Sequence, residues 1–201
     1  MNGKIILDLC GGTGAWTLPY KEAGYDVRNI TLPEYDVRTY ILPNESIYGI
    51  LAAPPCTMFS DARTNAKTPR DLRGGMEIVE ACLKLIWEAQ YRTRSDQQKY
   101  SPLKFWALEN PYFGRLRWFL GRPAFVFDPW EFGDAYKKRT ALWGLFNEPI
   151  KIYKNINDIM TEERILKGVN NLDYWKDTEN RQLLRSITPQ GFAKAFFEVN
   201  K

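Results

Sequence analysis

At 201 residues, with 44% hydrophobic and 14% aromatic side chains, the chain is long enough to bury one core and too apolar to be disordered. It has no histidine, which removes His-based triads, His metal sites and His general bases together. Its three widely spaced cysteines, Cys10, Cys56 and Cys82, offer neither a disulfide framework nor a CxxC-type metal pair. With a mild net charge of +4, no apolar run of membrane-span length and no signal-peptide pattern over Met1 to Asp8, a single cytoplasmic domain over 1–201 is expected, with no metal and no membrane partner.

In chain order, Lys4 to Leu9 reads as a buried strand and Cys10 to Ala15 as a glycine-rich turn. A helix of about two turns follows and ends at Gly24. Tyr25 to Leu32 reads as a second strand. Ile47 to Ala53 reads as a third, stopped by Pro54-Pro55. Gly74 to Gln90 is a strong helix, with Val79, Leu83 and Ile86 beside Ile78, Cys82 and Leu85 on a wide apolar face. Lys104 to Leu108 is a strand stopped by Asn110-Pro111, and Ala124 to Phe127 and Thr140 to Trp143 are further strands. Ser186 to Asn200 closes the chain as a helix, with Thr188 as N-cap, Pro189 at the first helical position and Phe192, Phe196 and Val199 as its stripe. Strands alternating with helices predict an α/β fold with a single doubly wound, mostly parallel sheet. In such folds ligands bind beyond the carboxyl ends of the strands, so chemistry is sought where each apolar run stops.

Four such places carry candidate residues. Asp8 to Trp16 (Asp-Leu-Cys-Gly-Gly-Thr-Gly-Ala-Trp) is a strand-to-turn junction whose glycines allow the close backbone approach that a nucleotide-like ligand needs, although a tight ligand-free turn reads equally well. Asp36 sits in the loop after the second strand, either solvated or placed to accept from an adenine amino group. Cys56, directly after two prolines, stands on a stiff loop suited to presenting a nucleophile; the alternative is a small buried residue. Glu109 is a carboxylate at a strand end, fit to hold the N3 position of a pyrimidine or, alternatively, to pair with a nearby arginine. Basic residues follow these motifs in three clusters, Arg63 to Arg73, Arg115 to Arg122 and Lys137 to Arg139, which together suit a phosphate-tracking surface.

Taken together, the segments resemble the cytosine-5 DNA methyltransferase family. The family's Gly-rich cofactor motif is similar to Asp8 to Trp16. Its Pro-Cys-x-x-Phe-Ser motif is matched by Pro55, Cys56, Phe59 and Ser60, its Glu-Asn motif by Glu109 and Asn110, and its Arg-x-Arg motif by Lys137-Lys138-Arg139 with the first Arg replaced. A later cofactor-contacting segment is loosely echoed by Ser186 to Phe197. The chain departs from the family in having Cys10 where a phenylalanine packs on adenine, with Trp16 or Tyr35 as substitutes. It shows no evident acidic partner for the cofactor ribose, leaving Asn29, Thr31 or Glu34. Only Leu145 to Arg185 stands where the family inserts a target-recognition domain.

The resemblance implies a Rossmann-like methyltransferase fold that binds S-adenosyl-L-methionine and methylates C5 of cytosine in DNA. The implied catalytic residues are Cys56 as covalent nucleophile, Glu109 at ring N3, Asn110 positioning the loop and Arg139 orienting the base. The implied cofactor-binding residues are Asp8, Cys10, Gly11, Gly12, Gly14, Trp16, Asp36 and Pro55. The short 145–185 stretch implies a brief or relaxed target sequence. Methylation of a free cytosine nucleotide or of RNA, and a catalytically silent domain that binds DNA or cofactor, remain the alternatives.

Overall fold

The computed structural model describes residues 3–61, 63, 66–91, 101–134, 136–159 and 186–201, and the fold below is that of these residues. They form a mixed α/β structure. Six strands are β1 (Ile5–Leu9), β2 (Asp26–Ile30), β3 (Ile47–Ala52), β4 (Phe105–Pro111), β5 (Phe125–Phe127) and β6 (Thr140–Leu145). Four helices are α1 (Leu18–Glu22), α2 (Leu72–Tyr91), α3 (Arg117–Leu120) and α4 (Gln190–Asn200). The strands make one sheet in the order β2-β1-β3-β4-β6-β5. The first four run parallel, and β6 is antiparallel to both its neighbours.

Side-chain alternation along the strands builds two cores. Ile5, Leu7 and Leu9 of β1, Ile50 of β3 and Leu108 of β4 pack with Val79, Cys82, Leu85 and Ile86 of α2 on one face. Ile6, Leu51, Phe105, Ala107 and Leu142 pack with Trp16, Tyr20, Phe192 and Phe196 on the other. Aromatic stacking closes that second core, with Phe127 and Phe192 rings 3.9 Å apart and nearly parallel. Every residue of β1 is buried, which accounts for its unbroken apolar run and makes Asp8 within it conspicuous.

Helices make only some of the crossovers between the parallel strands. α1 and α2 make the first and third connections, but Thr31 to Ser46, between β2 and β3, contains no helix. α1 has five residues and begins at Leu18, so the helix expected after the glycine turn is present but shorter than two full turns. α2 begins two residues earlier than its apolar pattern suggests, because the Asp71 carboxylate caps it by accepting the Gly74 amide at 2.8 Å.

β4 runs through Pro111 instead of stopping at Leu108, because its last residues pair with the start of β6: Glu109 opposite Leu142, Asn110 opposite Ala141 and Pro111 opposite Thr140. Pro111 lies at the end of this pairing, where a missing amide is tolerated. α4 starts at Gln190, with Pro189 in the N-cap position in place of the expected Thr188. The exposed helix end is completed from elsewhere, by the Asp134 carboxylate accepting the Gly191 amide at 2.8 Å. No helix among the described residues is long and apolar enough to cross a membrane. Most of the 145–185 stretch assigned to target recognition lies outside the described residues.

Candidate active site

A cleft opens beyond the carboxyl ends of β1, β3 and β4. It is lined by Asp8, Cys10, Gly11, Gly12 and Trp16 from the first junction, Ala53 to Cys56 from the second, and Glu109 and Pro111 from the third. Lys138, Ser186 and Thr188 complete it. Three segments far apart in sequence therefore meet because their strands are parallel neighbours in the order β1-β3-β4.

The glycine turn is held open in a defined shape. Cys10 adopts a left-handed backbone (φ 57°), a conformation that favours glycine and is strained for a side-chain-bearing residue. Gly12 and Gly14 are left-handed as well. Gly11 serves a different need, since a methyl group there would collide with the Asp8 carboxylate. Asn29, at the end of β2, donates to the Gly12 carbonyl at 2.9 Å and ties the turn to the sheet. Cys10 is tied to α2 through its sulfur, and the hydrogen bond from Cys82 draws its thiol below the ordinary value.

Asp8 is fully buried, and one of its oxygens accepts from the Thr17 hydroxyl at 2.7 Å. The other, Oδ1, has no partner, and neither has the buried indole N–H of Trp16 in the same cleft. A buried acceptor and a buried donor left without partners in one cleft are costly unless a ligand meets them. Burial pushes the Asp8 carboxyl from 3.8 up to about 6. A raised carboxyl binds its proton more tightly in the folded state. Folding is therefore unpenalised below pH 4 and progressively penalised as pH rises towards 6, by about 3 kcal/mol once Asp8 is ionised. Asp8→Asn is accordingly expected to flatten the decline of stability between pH 4 and 7 and to make the ligand-free protein more stable at pH 7; urea unfolding at the two pH values checks this.

The loop carrying Cys56 is pinned from four sides. The Ala53 amide donates to the Leu9 carbonyl at 2.9 Å, and the Asn110 side-chain amide donates to the Pro54 carbonyl at 3.0 Å. After the cysteine, the amides of Phe59 and Ser60 turn back onto the Cys56 carbonyl. The Arg70 guanidinium donates to the carbonyls of Met58 and Ser60, both at 2.8 Å. Phe59 is wholly buried and anchors the turn in the core under α2. A nucleophile needs such fixed presentation. Hydrogen bonds to a charged donor contribute about 1.5–3 kcal/mol each. Arg70→Ala is therefore expected to raise hydrogen exchange at the Phe59 and Ser60 amides by at least about tenfold, while protection in β1 and β3 stays as it was.

Glu109 lies half-buried in the cleft, and no cation among the described residues comes within ion-pair distance of it, so the arginine pairing considered above is not formed there. Asn110 is fully buried and faces the Pro54 loop. Alternation along β4 sends Glu109 to the same side as Ala107, the side on which Trp16 and α4 pack. Four of the expected residues stand elsewhere, among them Gly14, which shapes the turn with its left-handed backbone but does not line the cleft. Asp36 is outside the cleft lining, and its carboxylate is bound by the Arg38 guanidinium, which holds it down at about 2. Arg139 is exposed, pairs with Asp128 at 3.3 Å and lies over the Tyr112 ring, so that its neighbour Lys138 is the cation that enters the cleft. Tyr35 is exposed on its own loop, whereas Trp16 reaches the cleft.

Of the basic clusters, Arg70 braces the cysteine loop and Arg115 pairs with Asp61 at 3.2 Å, so neither is a simple phosphate contact. Thr17, Asn29, Arg70, Lys138, Ser186 and Thr188 were not singled out from sequence for these roles. Only Thr17, a polar residue between Trp16 and a leucine-proline pair, carried a local signal. Among the described residues no group of three or more His, Cys, Asp or Glu is placed to hold a metal ion.

No family model matches the sequence, and no curated protein matches it. Among solved structures the chain is similar to one titled as the structure analysis of the Entamoeba histolytica methyltransferase EhMeth. The identity is 10% and the TM-score 0.40, over 77% of this chain and 58% of that one. The chain thus spans less than two thirds of that structure's length.

Proposed function

We propose that the chain transfers a methyl group from S-adenosylmethionine to C5 of cytosine in DNA through a covalent Cys56 adduct, as a short member of the cytosine-5 methyltransferase family. The observation that carries the proposal is the meeting, in one cleft, of a rigidly held cysteine, a half-buried carboxylate with no ion-pair partner among the described residues, and a glycine-lined pocket with buried polar atoms that lack partners there. The same proposal takes the sheet as a Rossmann-like, doubly wound one, for which the packing of helices on both faces and the position of the cleft at the strand ends give support.

The cofactor fits the residues present. Asp8 Oδ1 suits its ammonium or sulfonium charge, the Trp16 N–H suits an oxygen or nitrogen acceptor, and Gly11 and Gly12 leave room beside them. When bound, S-adenosylmethionine supplies an electrophilic methyl group. Cys56, as thiolate, adds to C6 of a cytosine turned into the cleft, forming a sulfur–carbon bond. Glu109 donates a proton to ring N3, which accepts the electrons displaced by that addition and makes C5 nucleophilic. Asn110 holds the Pro54 carbonyl and with it the approach of the sulfur. Lys138, not Arg139, is the cation positioned to stabilise charge on the base. With no histidine in the chain, water or a carboxylate takes the C5 proton as Cys56 is expelled.

The deciding experiment supplies labelled S-adenosylmethionine with duplex DNA, RNA or dCMP in parallel. Label on cytosine in DNA is expected. Label on RNA or dCMP alone would move the substrate to those alternatives, and no label on any of them would refute methyl transfer to cytosine.

A further inference from the structure

A second concave surface lies next to the cleft. It is lined by Tyr112, Arg117, Trp118, Gly121, Arg122 and Pro123. It neighbours the first site along the chain at two points. Pro111 lines the cleft and Tyr112 the groove, while Lys138 lines the cleft and Arg139 stands over the Tyr112 ring.

The groove's tryptophan comes from a helix that is mostly turned to solvent, though Tyr112 and Leu120 pack partly on the first core. α3 buries none of its four residues although it carries a tryptophan, a phenylalanine and a leucine. Trp118 is 66% exposed and Phe119, beside it in α3, 50%. Apolar surface of this kind, gathered in one place, marks a contact site. The shape is fixed by the core, for the buried Trp143 donates its indole N–H to the Gly121 carbonyl at 3.0 Å, and the Gly121 amide donates to Arg117. The charge is one-sided. Arg117 lies over the Tyr112 ring at 5.3 Å, and neither it nor Arg122 has a carboxylate within ion-pair distance among the described residues. An exposed tryptophan beside guanidinium groups that have no carboxylate partner among the described residues is the combination that holds unpaired bases and their phosphates.

We propose that this groove is a subsite for an unpaired base of a nucleic-acid strand, stacked against Trp118 or Tyr112, with Arg117 and Arg122 on its phosphates. It deepens the cytosine-methylation reading and rests on it: while one base lies in the cleft, a neighbouring base on the same strand is held here. The substrate is then a polynucleotide with a locally opened strand, not a free nucleotide.

The test measures binding of a short fluorescent single-stranded DNA oligonucleotide to the full chain by anisotropy over a range of salt. Stacking of one base is worth about 1–3 kcal/mol, so Trp118→Ala is expected to weaken binding about tenfold, and Trp118→Phe to restore most of it. The Arg117→Ala, Arg122→Ala double variant is expected to lower the logarithmic salt slope by about 1.4, from about 0.7 per phosphate on a single strand. Wild-type protein that does not bind the oligonucleotide, or Trp118→Ala that binds as tightly as wild type, overturns the subsite. A loss confined to the arginine variant likewise overturns it, by leaving only a phosphate surface. Methyl transfer to the same oligonucleotide is read in parallel. Transfer without dependence of binding on Trp118 removes the groove and leaves the reaction standing, whereas Trp118-dependent binding with no transfer to any substrate leaves the groove and removes the reaction.

Discussion

Cys56→Ser is expected to reduce methyl transfer by at least on the order of 10³-fold, while cofactor binding and the unfolding midpoint remain close to wild type. The substitution changes one atom on a loop that is held at several other points. The turn is set by the Cys56 carbonyl, by Asn110 on Pro54, by Arg70 on Met58 and Ser60, and by buried Phe59, all of which the variant retains. What is lost is ionisation. A thiol with an ordinary value of about 8.5 supplies some thiolate near neutral pH, and a serine hydroxyl supplies essentially no alkoxide. Calorimetry with S-adenosylmethionine and label incorporation into DNA separate the two properties. Substantial turnover in the serine variant would exclude a covalent adduct at this position.

Glu109→Gln is expected to lower turnover by about 10²–10⁴-fold, with little change in stability. Glutamine matches glutamate in size and can still hydrogen-bond a ring nitrogen, but it has no proton to transfer. Because no cation among the described residues pairs with Glu109, neutralising it breaks no ion pair of the fold there. A half-buried carboxylate without a partner weakens a protein more than an amide would, so the unfolding midpoint should stay level or rise. Turnover within about a factor of two of wild type, measured at saturating cofactor, would assign the residue a structural role.

Much of this organisation is legible in the residues themselves. The apolar runs ending at Leu9, Ala52 and Leu108 mark strands whose interiors are buried on both sides, and the stripe through Val79, Cys82 and Ile86 marks the long helix against them. Short-range physics suffices for these, since burial period and turn residues are local properties. The glycine turn, the double proline before Cys56 and the Glu109-Asn110-Pro111 step are local in the same sense. Each occurs where a strand stops or is about to stop, so the sequence alone could name Asp8, Gly11, Gly12, Trp16, Pro55, Cys56 and Glu109 as candidates, and the cleft gathers all of them.

The tertiary structure decided which charges are available. Whether a carboxylate or guanidinium is free depends on what stands opposite it, often far along the chain, and no spacing rule carries that information. Asp36 is occupied by Arg38, Arg139 by Asp128 and Tyr112, and Arg70 by backbone carbonyls of the cysteine loop, so residues that look alike in sequence have different work. Lys138 enters the cleft because it and exposed Arg139 stand immediately before β6, beside the carboxyl end of β4. The burial of Asp8 beside Trp16, each with an unpartnered atom, likewise arises only when β1 is enclosed between β2 and β3 and α4 covers the face, because desolvation is a property of the assembled core and not of any segment.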